Sequence, residues 1–259
     1  MIAIMAMICL CGSLWTYSRS FSAPPDRLPL RNAPAVVDRN VRIAIIGDSW
    51  ASGRKLDDFV EKDLHDRGWN VRITSHGHPG ARSQLIYRDM FAPQSDPHSS
   101  QDVLFGAPFH AAVVLAGVND SQGYIGADHY SHHVRLIVEA LSRRGIFPLV
   151  VELPEYGIEQ ARSSDPLGRV RRRMMRMVYH HDQIDVIPMY RSALAKNLQE
   201  SLPADSYRII DFDPVATDFN RSRDLYLPDA IHLSEKGRRA LSAQIGLSLD
   251  RLLRQRAGG

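Results

Sequence analysis

From Val41 onward, short and almost unbroken apolar runs alternate with longer stretches in which apolar residues recur at every third or fourth position. Short runs of this kind at 41–46, 111–116 and 146–151, and more mixed ones at 70–74 and 184–187, predict strands of a sheet covered on both faces. The periodic stretches at 56–67, 82–90, 128–143, 166–180, 190–199 and 234–254 predict helices. In the last of these, Leu241, Ile245, Leu249 and Leu252 form a core-facing stripe, with Ser234 as its N-cap. Strands alternating with helices predict an α/β fold, a mainly parallel five-stranded sheet with helices on both faces. In such a sheet ligands collect beyond the carboxyl ends of the strands. The four loops at those ends read Gly47-Asp48-Ser49, His76-Gly77-His78-Pro79-Gly80, Gly117-Val118-Asn119-Asp120 and Glu152-Leu153-Pro154-Glu155.

The pattern differs upstream. Ile2 to Trp15 is almost continuously apolar and gives way to Thr16-Tyr17-Ser18-Arg19-Ser20. Fourteen such residues suit the core of a signal peptide or a short uncleaved anchor better than a full span, which takes about 20. Residues 1–23 are therefore expected to be a signal peptide or N-terminal anchor, 24–40 a proline- and arginine-rich linker, and 41–256 one folded domain. An exported protein, periplasmic or secreted, or tethered to the inner membrane through residues 2–15, is the expected localisation. Both cysteines, Cys9 and Cys11, lie in this leader, so removing it leaves no thiol for catalysis, a disulfide or thiolate metal binding.

Composition narrows the picture only slightly. With 259 residues there is room for one substantial core. A net charge of +3 is weak for a nucleic-acid binder, and no nucleic-acid partner is expected. Only four of the 32 basic residues are lysine.

The chemistry-bearing residues fall at the strand ends and at the entry to the final helix. Ser49, after a buried strand, can be a nucleophile, and His232 can be its base. Asp229 precedes His232 by three residues, so one local turn brings its carboxylate to the imidazole. The backbone N–H groups of Ser49 and Gly80 and the amide of Asn119 can form an oxyanion hole. The segments Gly47-Asp48-Ser49, Gly80, Gly117-Val118-Asn119-Asp120 and Asp229-Ala230-Ile231-His232-Leu233-Ser234 together resemble the SGNH (GDSL-type) hydrolase superfamily, over roughly residues 41 to 254. The resemblance implies a three-layer flavodoxin-like fold and ester hydrolysis without metal or cofactor. It also implies catalytic roles for Ser49, Asp229 and His232 and oxyanion roles for Ser49, Gly80 and Asn119.

Two departures stand out. Trp50 replaces the family's usual aliphatic residue after the serine, and Gly77 competes with Gly80 for the second oxyanion donor. Gly80 is favoured because the next helix opens just after it, and a helix N-terminus suits an anion. A nucleophile elbow of the α/β-hydrolase kind would need glycine at position 51, which is Ala51. Asp48 is expected to brace its loop. Trp50, Arg82 and Glu155 are the candidate substrate contacts; Glu152, Glu155 and Tyr156 should rim the cleft, and Arg54 stays undecided.

Other clusters have plainer readings. His129, His132 and His133 are expected to form a solvated helix start and not a metal site, since no glutamate sits between 129 and 133 in zinc-protease spacing. Beside the basic run 169–176, Val170, Met174, Met177 and Val178 should form an apolar stripe with the arginines on the outer faces, a solvated face or, as the alternative, one that binds an acidic polymer or lipid surface. The expected function is an exported serine esterase removing small O-acyl groups, chiefly O-acetyl, from a carbohydrate or exopolysaccharide such as cellulose. An acyltransferase with the same acyl-enzyme, and a non-catalytic module binding polysaccharide or a synthase, are the alternatives.

Overall fold

A computed structural model describes residues 24–52, 54–160, 166–216 and 218–257. Residues 1–23, expected as a leader, with Cys9 and Cys11 therefore lie outside the described residues, and so does the side chain of Arg54.

Five strands form one parallel sheet in the order β2-β1-β3-β4-β5: β1 (Asn40–Gly47), β2 (Asn70–Gly77), β3 (Ala111–Leu115), β4 (Phe147–Val151) and β5 (Arg208–Ile210). The three-layer expectation holds. Ile43 to Ile46 and all of β3 are buried, as strands covered on both faces must be. On one side α1 (Arg54–Asp66) packs against α9 (Glu235–Ala257), whose Leu241, Ile245, Leu249 and Leu252 are buried as their spacing predicts. On the other, α5 (Ala127–Arg143) packs against α2 (Ser83–Asp89) and α7 (Ile187–Ser201). Short helices α3 (Gln101–Phe105), α4 (Val118–Gln122) and α8 (Asp213–Ala216) fill loops, and α6 (Pro166–His180) lies on the surface.

The chain leaves β1 toward β2 and then crosses back to β3, so the order reverses between β1 and β3. The loops on either side of such a reversal part and leave a crevice. Ser49 follows β1 and Asn119 follows β3, so the fold places both at that crevice.

The fifth strand is not where the apolar run at 184–187 predicts it. Val186 and Ile187 instead begin α7: Pro188 occupies its first turn and Asp185 Oδ1 accepts a hydrogen bond from Ile187 N–H at 3.1 Å. Proline fits a helix start and removes a ladder donor from a strand. The actual strand is only three residues long, too short for a two-residue alternation to be read.

Residues 24–36, expected as a linker, lie against the body. Arg143 donates to the carbonyls of Leu28 and Asp26, Arg144 to Pro29, and Pro25 and Leu28 are buried. The histidines of α5 also depart from expectation, because His129 and His133 are buried and His133 Nδ1 lies 2.8 Å from the His129 carbonyl. Their positions coincide with the inner face of α5, where Tyr130, Val134 and Ile137 enter the core. On α6 the inward and outward faces are exchanged: Val170, Met174, Met177 and Val178 are exposed, while Arg172 and Arg176 are half-buried toward the body.

Candidate active site

Ser49 sits in the turn that ends β1. Asp48 anchors that turn: its N–H donates to the Leu115 carbonyl at 3.1 Å, and its Oδ1 accepts from Trp50 N–H at 2.9 Å. Ala51 N–H closes the turn on the Asp48 carbonyl. Asp48 is buried, and burial pushes its carboxyl up to about 7; the Trp50 N–H works against that rise and the nearby Asp120 adds to it. The expected brace role of Asp48 matches these bonds.

His232 sits in a surface turn. Ala230 adopts φ +63°, a left-handed conformation that lets three residues fold back on themselves. Asp229 Oδ1 accepts the backbone N–H groups of Ile231 and His232, each at 2.9 Å, and Oδ2 lies 2.7 Å from His232 Nδ1. Burial alone would raise the Asp229 carboxyl. The His232 ring and the two backbone donors outweigh it and hold the group below its usual range. With Nδ1 engaged, Nε2 is the imidazole nitrogen open to a proton.

Trp50 joins the two sides. Its indole Nε1 donates to the Ile231 carbonyl at 3.2 Å, and its ring is buried. Ser49 and His232 open onto one pocket of about 350 Å³, lined also by Trp50, Ser52, Lys55, Leu56 and Arg238. Tertiary structure thus brings Ser49, Asp229 and His232 together from opposite ends of the chain. The tether from Trp50 to Ile231 is a feature that motif reading missed; a tryptophan where an aliphatic residue is usual was its only signal.

The three proposed oxyanion donors have distinct settings. Among the described residues, neither Ser49 N–H nor Gly80 N–H donates to a protein acceptor. Gly80 has φ +80° and nothing within 4 Å of where a Cβ would lie, so its backbone is open. The competitor, Gly77, is a packing glycine: a Cβ there would fall 2.3 Å from Ser52 N and collide with the turn that carries Ser49. Asn119, on α4, donates from Nδ2 to the Ala81 carbonyl at 2.9 Å, with a longer contact of 3.4 Å to Asp48 Oδ2. The first bond fixes the amide plane beside the Gly80 loop. Below it, buried Asp120 accepts both the N–H and the hydroxyl of Ser83, locking the start of α2 to α4.

The remaining candidates disperse. Arg82 is half-buried between the Gly123 backbone and Asp120, and burial lowers its guanidinium despite the attraction of Asp120. Glu155 lines a separate cavity of about 390 Å³ with Asp185 and Asp218, and its carboxylate lies 3.7 Å from Arg191. Burial raises its carboxyl, Asp185 adds to that, and Arg191 opposes it. Tyr156 is buried, its hydroxyl 2.7 Å from Ser121 Oγ, and it lines that same separate cavity and not the pocket of Ser49 and His232. Glu152, Asp211 and Asp213 converge within 4.8 Å. Arg191 already grips both oxygens of Asp213 at 2.8 and 2.7 Å, so a guanidinium stands where a cation would bind.

Residues 45–240 match the GDSL-like lipase/acylhydrolase family. The fold is similar to the lipase/acylhydrolase from Enterococcus faecalis, with 18% identity over 82% of this chain and 96% of that one and a TM-score of 0.60. A GDSL-like lipase from Bacteroides thetaiotaomicron is 17% identical over 82% and 89% of the two chains, with a TM-score of 0.53. The psychrotrophic esterase EstA from Pseudoalteromonas sp., whose structure was determined inhibited by monoethylphosphonate, is 12% identical over 82% and 98%, with a TM-score of 0.55. No curated protein sequence is matched.

Proposed function

This chain belongs to the GDSL-like lipase/acylhydrolase family of serine esterases, and from that premise we propose that Ser49 is its nucleophile, His232 its base and Asp229 the group that orients the base. The observation that carries this assignment is a single pocket onto which Ser49 and the Asp229-paired His232 both open. Ser49 Oγ attacks the acyl carbon as its proton passes to His232 Nε2. Negative charge then develops on the carbonyl oxygen, where the N–H groups of Ser49 and Gly80 and the amide of Asn119 receive it. The tetrahedral intermediate collapses by breaking the ester C–O bond, and the departing alcohol takes the proton from the imidazolium. Water, deprotonated by His232, then releases the acyl group from Ser49. Asp229 holds Nδ1 protonated and stabilises the imidazolium in both halves.

The substrate we propose is a small O-acyl ester, chiefly O-acetyl, on a carbohydrate or exopolysaccharide. A pocket of about 350 Å³ suits a short acyl chain. Lys55, Arg238 and Ser52 on its wall suit a polar alcohol portion better than an alkyl one. Export, inferred from the apolar run at 2–15, would place the enzyme among extracytoplasmic glycans. A serine-directed fluorophosphonate tests the chemistry. Labelling should be lost in Ser49→Ala and strongly reduced in His232→Ala, and a folded wild-type protein that takes no label would sink the assignment. Turnover of p-nitrophenyl esters should fall steeply beyond short acyl chains; a preference for long chains would refute the small-acyl reading while leaving the triad intact.

A further inference from the structure

α6 is amphipathic in the opposite sense to a helix resting on a folded body. At about 100° per residue, Gly168, Arg172, Met175, Arg176 and His180 share the face turned to the protein. Arg176 pairs there with Asp182 at 2.6 Å, and the His180 ring packs between those of Tyr124 and Tyr190. The opposite face carries Val170, Met174, Met177 and Val178, which are 60%, 44%, 59% and 69% exposed. Arg171 and Arg173 flank that stripe. Across Pro166–His180 there are five arginines and no acidic residue.

We propose that α6 is a docking helix for an anionic lipid bilayer. An apolar stripe lying in the acyl boundary, with arginines reaching back to anionic headgroups, accounts for both halves of the pattern. A polyanionic glycan would answer the arginines but leave the valines and methionines in water. A stable protein partner takes some 20–30 residues on each side, more than one helix of this size presents. Tyr179 of α6 packs on Gly126, in the loop that follows β3 and α4. Docking therefore brings the end of the sheet that bears Ser49 and Asn119 toward the membrane.

The apolar residues 2–15 could bind vesicles by themselves, so the test reads α6 directly. In the full chain, Cys9 and Cys11 are changed to serine and one cysteine is introduced by Met174→Cys or Val178→Cys. Each is labelled with a polarity-sensitive fluorophore. Both labels should shift to the blue on vesicles of phosphatidylcholine with about a third phosphatidylglycerol, and not on phosphatidylcholine alone. A label at Lys196→Cys on α7 should not shift. Reversing charge with Arg171→Glu and Arg173→Glu should weaken the vesicle-induced shift by about tenfold or more, as should salt near 1 M. No shift at either α6 label, whether or not the protein sediments with the vesicles, overturns the proposal. So does an equal shift on dextran sulfate without lipid, or a shift that grows with protein concentration alone.

Discussion

The Ser49 side and the His232 side of this site each rest on an aspartate, and the two aspartates sit in opposite environments. Asp48 is fully buried, and its carboxyl is pushed up to about 7 by loss of water. Asp229 is exposed on a turn, and hydrogen bonds from His232 and from two backbone N–H groups hold it below its ordinary range. The same side chain thus does two kinds of work. The buried one fixes geometry at a cost in stability once it ionises; the exposed one is held in its charged form by the donors around it. The sides meet through Trp50, which follows Ser49 and hydrogen-bonds the turn that carries His232.

The strongest way to break this comparison is to remove the chemistry. Ser49→Ala and His232→Ala should each lower kcat/KM on p-nitrophenyl acetate by about 10⁴-fold or more, and the double variant should lose little further. Asp229→Asn should cost about 10²–10⁴-fold by presenting the wrong imidazole tautomer, read from initial rates at pH 7 to 8. A smaller loss would mean that exposure leaves Asp229 too screened to matter. Asn119→Ala should lower kcat by about 10²–10³-fold with little change in KM, as for a donor used only in the transition state.

Two gentler changes sharpen the contrast. Because the folded-state pKa of Asp48 lies above its unfolded value, the folded protein holds the extra proton between pH 4 and 7. Stability should therefore fall as pH rises through that window, by up to a few kcal/mol in all, and level off above it. Asp48→Asn keeps an acceptor for Trp50 N–H and should flatten this profile in denaturant titrations; an unchanged slope would show that Asp48 is not the titrating group. Asp229 acts with the opposite sign, so its contribution should be lost as pH drops below the ordinary carboxylate range. Trp50→Phe keeps an aromatic ring but removes the indole N–H and with it the bond to Ile231. It should cost about 1 kcal/mol of stability and about tenfold in kcat.

Much of this was legible in the chain. Four of the five strands and the stripe of α9 follow from apolar spacing, since long buried elements impose a period on the sequence. The strand at 208–210 did not, because three residues carry no period. The run at 184–187 misled because an apolar helix entry and a short strand share a composition. For α6 the spacing carries the period of the helix but not the direction in which its apolar face points. Periodicity says that a helix has two faces, but only neighbours say which of them meets the protein. Buried His129 and His133 illustrate the same limit, as their place on the inner face of α5 overrides the polarity of the ring.

By itself the sequence determined four of the five strands, the long helices, the loops in which chemistry could sit, and the local turn that puts Asp229 on His232, because each depends on residues close together in the chain. Only the tertiary structure decided that Gly77 is a packing contact while Gly80 stays open, and that Asp48 is buried beside Asp120. It alone placed Glu155 in another cavity, turned the apolar face of α6 outward and bound Trp50 to Ile231 across 181 positions. Burial, and with it charge state and donor availability, is a property of what surrounds a residue in space, and a linear chain does not state its surroundings.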